Sequence, residues 1–431
     1  MTDIDTTAIL GAPIKLNTLD IRNRMVMGPM AANAPREGGG PSDQTIAFFE
    51  ARARGGIGMI IAGGVIAATR GFDEAPFRPL LRFDIDDHIA DFRKVADAVH
   101  AHDTPIVAEI MPGFGRMGVP SKNRPIISAS PINVVIPEDR FPHGMKVPGG
   151  RTSPVPDVAT IAEIQAYEAE MIDAAVRAEN AGWDGVEVAA HMSYFLASFL
   201  SPRTNWREDE YGGSTANRAR VLVNIIDGIR KRLGNDYLVG LRITSGDGLA
   251  DGQSAEDYAA VAREVQNAGA DYVALSRGNY ETMDISAPLV DGALTETGEA
   301  AAFKKALDVP ILLQGYHDPA AAARAIADGL GDMIMLARPL LADPNYALKV
   351  TEGRASAITV CTREHECMKR LVTNMPIRCT VNPEMGLEEG QKWSLSRAAR
   401  APMEKAVLGA MKSKTLMKAA NKLTGGGTPK S

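Results

Sequence analysis

Eight short apolar segments, each followed by a stretch of different periodicity, run in series through this chain and constrain its fold more than any other feature. They are Met25–Pro29, Gly58–Ala62, Pro105–Ile110, Gly185–Ala189, Leu238–Ile243, Tyr272–Ser276, Pro310–Gln314 and Met333–Leu336. A continuous apolar run is what a parallel strand shows when both faces of its sheet are covered. Helical patterns lie between them, at Ser42–Arg54, Ile85–His102, Ile161–Ala181, Thr215–Arg232, Ala255–Ala268, Glu299–Leu307 and Pro319–Asp328. Strand then helix, repeated to the eighth strand, predicts an α/β chain closed into a (β/α)8 TIM barrel rather than an open sheet. No G-x-G-x-x-G fingerprint follows any of these strands, so a second, dinucleotide-binding domain is not supported.

A length of 431 residues suits one long barrel domain, and 45% apolar with only 5% aromatic residues suits an Ala/Val/Ile-rich core. The net charge of -6 gives no argument for nucleic acid or an anionic membrane as partner. Asp3 and Asp5 stand where a signal peptide would carry basic residues. The longest apolar run, near Ile57–Ala68, is broken by glycines and too short to span a bilayer. Three cysteines argue against a disulfide scaffold and fit a reducing cytoplasm.

Two regions depart from the rhythm. Gly113–Thr160 is rich in Pro and Gly with little periodicity, which reads as a lid, a gating segment, disorder or a surface excursion. After the eighth strand come a cysteine segment, 361–388, and a tail from 391 to 431 with a helical run near Met403–Leu423. The expected division is therefore 1–390 for the barrel with its cysteine segment and 391–431 for a basic helical tail. In that tail Val407, Leu408, Met411, Leu416 and Met417 recur at partly helical spacing. Such a helix could dock on a partner, a second subunit or an anionic surface, or stand solvated as a frayed terminus.

Chemistry concentrates in Ala181–Arg220. Gly185–Ala189 reads as a buried strand that ends on Ala-His-Met-Ser-Tyr, and barrel enzymes keep their chemistry at C-terminal strand ends. A polar loop follows, leading into a helix with Ser214 or Thr215 as N-cap. The run SPRTNWREDEYGGSTANRAR, residues 201–220, resembles the signature loop of the flavin-dependent old yellow enzyme family. The similarity covers most of the chain and is nearest the branch of 2,4-dienoyl-CoA reductase and trimethylamine dehydrogenase.

That resemblance implies FMN at the barrel mouth. It implies that Pro29, Met30 and Ala31 lie along the flavin, with Ala31 where relatives often carry a tuning Thr or Cys. Gly64 matches a small flavin-contacting residue. Glu109 stands where relatives usually have Gln, which leaves three readings: a protonated carboxyl, a pair with Arg242, or a slipped register around Pro112–Arg116. Arg242, inside the apolar strand VGLRIT, matches the basic residue beside flavin N1, where it would stabilise the reduced anion; the plainer reading is an ion pair with a neighbouring carboxylate. Gly315 and Arg338 match the phosphate corner, although Gln314 and Ala337 replace the family's glycines there. Tyr194 falls on the family's proton donor. The residues that grip a substrate carbonyl in many relatives are Ala189 and Met192 here, with His191 between them as the remaining candidate.

The cysteines are spaced Cys361-x5-Cys367-x11-Cys379. They match three of the four that hold a [4Fe–4S] cluster in the dienoyl-CoA reductase branch, with Glu364 in the fourth place and His365 beside it. The cluster persists with an unusual ligand, is labile, or is lost.

The expected function is FMN-dependent hydride transfer through flavin N5 to an electron-poor C=C bond of a small hydrophobic enone or enoyl thioester. The electron partner is NAD(P)H or a separate electron-transfer protein, and a homo-oligomer is the expected assembly. The alternatives are an amine or C–H dehydrogenase of the trimethylamine dehydrogenase type, or a barrel that has lost redox chemistry and binds or isomerises.

Overall fold

The computed structural model describes residues 4–31, 34–77, 80–145, 147–390, 395–410, 413 and 415. Its barrel strands are β1 Met25–Met27, β2 Met59–Ile66, β3 Ile106–Met111, β4 Gly185–Ala190, β5 Leu238–Thr244, β6 Tyr272–Ser276, β7 Ile311–Gln314 and β8 Met333–Leu336. Each pairs in parallel with the next, and β8 pairs with β1, so the sheet closes without an edge. All eight expected strands are present. The first stops at Met27, because Pro29 has no N–H for the ladder. The second runs four residues past its expected end, to Ile66, through a register shift between Ala62 and Val65. The pair Gly63-Gly64 occupies that irregularity.

The connecting helices are α1 Asp43–Arg54, α2 Ile89–His100, α3 Ile161–Asn180, α4 Thr215–Leu233, α5 Ala255–Asn267, α6 Glu299–Ala306 and α7 Pro319–Ala327. The chain then runs through α8 Arg338–Ala342 and α9 Tyr346–Thr351. Local chemistry starts several of them. Ser42, Thr160 and Ser254 form capping boxes, Ser214 accepts from the Asn217 N–H, and Asp318 caps α7 with Pro319 following. A hairpin, Ile14–Leu16 with Leu19–Ile21, closes the lower end: Leu16 and Ile21 join Val26, Met59, Leu238, Tyr272, Leu312 and Met333 in one apolar cluster.

The described residues of Gly113–Thr160 include short paired strands. Ile127–Ser128 pairs in parallel with Asp157–Val158, and Val135–Ile136 pairs antiparallel with Arg151–Thr152. Two-residue strands have no room for periodicity, which hides them in the sequence. Arg116 fastens the start of this insertion by donating from Nη2 to Glu281 Oε1 at 2.9 Å, and Arg203 of the polar loop reaches the same oxygen at 3.0 Å.

The cysteine segment, with α10 at Glu366–Val372, lies back on the barrel. Arg52 Nη1 pairs with Glu388 Oε1 at 2.6 Å, and Asn382 Nδ2 donates to the Leu341 carbonyl at 2.9 Å. The tail helix covers Leu395–Ala410, with Leu408 buried and Met403 and Val407 exposed, while Met411, Leu416 and Met417 lie outside the described residues. Among the described residues no helix is long and apolar enough to cross a membrane.

Candidate active site

The strand ends open on a cavity of about 310 Å³. Its walls include Gly28, Pro29, Met30 and Ala31 after β1, His191 and Met192 after β4, Arg242 of β5, Gln314 and Gly315 at the end of β7, and Arg338 after β8. Arg242 and Arg338, nearly a hundred positions apart, therefore face one cleft. Gly315 has φ +93°, a conformation that favours glycine, where the chain turns out of β7. The insertion reaches the same cavity through Pro142, and the cysteine segment reaches it through Cys367 and Met368.

Parallel register places Glu109 of β3, Glu187 of β4, Gly240 of β5 and Tyr272 of β6 at one level inside the barrel, with Arg242 two residues further up β5. His191 Nε2 lies 3.0 Å from Glu109 Oε1, and Arg242 Nε lies 3.6 Å from the same oxygen. Of the three readings of Glu109, the geometry displays the pair with Arg242 and adds His191 to it. Burial opposes ionisation of Glu109, but the hydrogen bond from His191 and the Arg242 guanidinium favour the anion, and the carboxyl is held below the usual carboxylate range. Burial pushes His191 down, so its imidazole is neutral, with Nε2–H donating to Glu109. Arg242 also donates from Nη2 to Gln314 Oε1 at 3.2 Å.

Tyr194 does not line the cavity; its ring stands edge-on to His191, centroids 5.5 Å apart, and its hydroxyl meets that of Tyr280 at 3.1 Å. Two successive left-handed residues, Met192 at φ +57° and Ser193 at +63°, turn the chain sharply between His191 and Tyr194. Strain of this kind at non-glycine residues persists where surrounding contacts hold it. Burial raises the Tyr194 phenol well above its ordinary value, so it is a held proton rather than an anion. Gly64 and Glu109 likewise stand behind the lining. A Cβ on Gly63 would meet Pro29 Cβ at 2.1 Å and Glu109 Oε2 at 2.6 Å, whereas one on Gly64 would meet nothing closer than 3.7 Å.

At the other end of the cleft, Arg338 Nη1 donates to His365 Nε2 at 2.7 Å, and His365 Nδ1–H donates to the His143 carbonyl at 3.1 Å. Burial and the neighbouring Arg338 push His365 down to about 4, which keeps it the neutral acceptor this requires. The sequence marked His365 as a possible unusual cluster ligand rather than as a partner of Arg338, and gave no signal for Tyr280, because both act through partners distant in the chain.

The residues fit FMN. Arg242 Nε and His191 Nδ1 are buried without a hydrogen-bond partner, as groups awaiting a polar ligand would be. The backbone of residues 28–31 and the cation of Arg338 share their cavity. A four-thiolate cluster fits less well. Cys361, Cys367 and Cys379 border one small cavity of about 20 Å³ with Glu364 and His365, but among the described residues no three His, Cys, Asp or Glu groups converge as a metal site. Burial raises the thiol of Cys361 and pushes that of Cys367 up to about 11, so both hold their protons.

Comparison with known proteins agrees with this geometry. The sequence profile of the NADH:flavin oxidoreductase / NADH oxidase family matches residues 10–357. The chain is 33% identical to an NADH oxidase of Thermoanaerobacter brockii, over 91% of the chain and 58% of that protein. It is 31% identical to a cinnamate reductase of Clostridium sporogenes, over 89% of the chain and 59% of that protein. Among solved structures it resembles a 2-naphthoyl-CoA reductase in complex with 2-naphthoyl-CoA, with a TM-score of 0.79 and 29% identity, over 89% of the chain and 58% of the other. The chain thus spans under two thirds of the length of these relatives.

Proposed function

The chain belongs to the NADH:flavin oxidoreductase / NADH oxidase family, and from that premise we propose that it is an FMN-dependent reductase of electron-poor C=C bonds. The observation that carries the proposal is the cleft shared by Arg242, Arg338 and the Pro29–Ala31 backbone. Bound there, FMN would supply a hydride acceptor and donor at N5.

The chain's own groups do the rest. The Pro29–Ala31 backbone would support the ring system, and Arg242 would answer negative charge on its pyrimidine side. Gly315 and Arg338 would hold the phosphate, with His365 fixing the guanidinium in place. Tyr194 would hold the proton destined for the α-carbon of the alkene, beside Tyr280. Met30, Ala31, Met192, Met283 and Met368 give the cavity an apolar wall, which suits a hydrophobic enone or an enoyl thioester better than a charged substrate. Names such as cinnamate reductase and 2-naphthoyl-CoA reductase among its relatives support the same class. The electron source would be NAD(P)H or a separate electron-transfer protein.

The test is an oxidant screen of the anaerobically reduced protein. Reoxidation by arylacrylates, enones or enoyl thioesters supports the proposal. Reduction of the oxidised protein by secondary or tertiary amines, with no alkene acting as oxidant, would favour the amine dehydrogenase reading instead.

A further inference from the structure

We infer that Glu109 and His191 form a proton-accepting pair that balances negative charge arriving beside Arg242, with His191 Nδ1 as the atom that takes the proton. The inference rests on the FMN reading above.

The titratable and charged groups that face Arg242 are Glu109 on β3, Glu187 on β4, His191 just past β4 and Tyr272 on β6. Its neighbours on β7 and β8, Gln314 and Met335, carry no charge. Tyr194 lies beyond His191, against Tyr280. Glu187 is fully buried with the Tyr272 hydroxyl as its nearest donor and no cation in contact, an environment that favours the neutral acid. Both tyrosines are held neutral by burial. What remains is the cation of Arg242 and the anion of Glu109, 3.6 Å apart. The site is already neutral before any electrons arrive.

Bound FMN would take up two electrons and one proton with the hydride, and Arg242 would answer the negative charge that results. That charge would meet a guanidinium whose field Glu109 has cancelled, in a site where uncompensated charge is costly. His191 offers relief. Its Nε2–H already donates to Glu109, and Nδ1 is buried with no partner, a base without a proton. Protonation of Nδ1 makes an imidazolium held 3.0 Å from the Glu109 carboxylate, and the added positive charge offsets the electrons. The balance closes: the hydride comes from the electron donor, the additional proton comes from solvent, and it is released when the hydride passes on to the substrate. Without Glu109 the guanidinium alone would match the new charge, and no second proton would be needed.

The test uses the reconstituted flavoprotein and reads protons, not turnover. The pH dependence of the flavin midpoint potential, between about pH 7 and pH 9, should correspond to about two protons per electron pair in the wild type and about one in Glu109→Gln. In parallel, ¹⁵N NMR of the wild type should show the His191 ring passing from neutral to doubly protonated on reduction, a readout that needs no variant to fold. Equal slopes in the two proteins, or a His191 ring that stays neutral on reduction, overturns the proposal while leaving the flavin reading intact. A chain that retains no FMN overturns both.

Discussion

The hydroxyl oxygens of Tyr194 and Tyr280 lie 3.1 Å apart, with the Tyr194 ring edge-on to His191 of the cavity wall. Burial and the contact with Tyr280 both raise the Tyr194 phenol, so Tyr280 acts by fixing the hydroxyl in place rather than by easing loss of its proton. Tyr194→Phe should therefore lower the rate of alkene reduction by about 10²–10⁴-fold. Reduction of the flavin by its electron donor should change little, because the proton is needed only at the substrate. Tyr280→Phe should give a smaller loss in the same step. Stopped-flow measurement of the two half-reactions separates these outcomes, and alkene reduction at the wild-type rate in Tyr194→Phe would remove Tyr194 from the mechanism.

The adjacent glycines of β2 should behave differently. A methyl at Gly63 collides with the Pro29 ring and the Glu109 carboxylate, so Gly63→Ala should cost about 1–3 kcal/mol of stability, with or without flavin. A methyl at Gly64 meets Met111 Sδ at 3.7 Å and Glu109 Oε2 at 3.9 Å, both ordinary contacts. If flavin lies against this residue, Gly64→Ala should leave the flavin-free protein as stable as wild type and weaken FMN binding. Thermal melts with and without FMN decide it.

Glu187 makes a prediction about pH. Burial raises its carboxyl to about 8, with the Glu109 anion adding to the shift and Arg242 opposing it. The folded state thus keeps a proton that the unfolded chain loses near the ordinary carboxylate range. Stability must fall as pH climbs through the window between that range and about 8, and then level off. Glu187→Gln carries no such proton. Its stability in urea should gain on wild type steadily across that window, by the largest margin near the upper end. Parallel curves for the two proteins would show that Glu187 titrates normally.

Glu364 tests the cysteine segment. The three thiols share a small cavity with it, one thiolate short of the usual set. Glu364→Cys should raise iron and acid-labile sulfide in anaerobically prepared protein well above the wild-type content. Equal, near-stoichiometric iron in both would show that the glutamate serves as a ligand.

The barrel was legible because each strand is an apolar run covered on both faces and most helices announce their first turn with a capping residue. The extension of β2 was not, because Gly63-Gly64 looks like the end of a strand when it marks a bulge inside one. Arg242 was legible as a charge that a buried strand must pair. Its partner was one of three readings at Glu109, and the structure shows the ion pair together with the cavity-facing position of Arg242. The bond from His191 to Glu109 spans 82 positions, and that from Arg338 to His365 spans 27. Contacts of that kind depend on where strand ends meet around a closed sheet, which no local pattern records. Tyr280 was hidden for the same reason, since nothing near it in the chain distinguishes it from a packing residue.

The most direct test of the central claim is the visible absorbance of the purified chain after incubation with FMN and removal of the excess. The account expects a protein-bound flavin spectrum that bleaches on anaerobic reduction and returns in air, with Arg242→Ala and Arg338→Ala each retaining less flavin than wild type. A chain that stays colourless, or one whose flavin content is indifferent to both arginines, would contradict it.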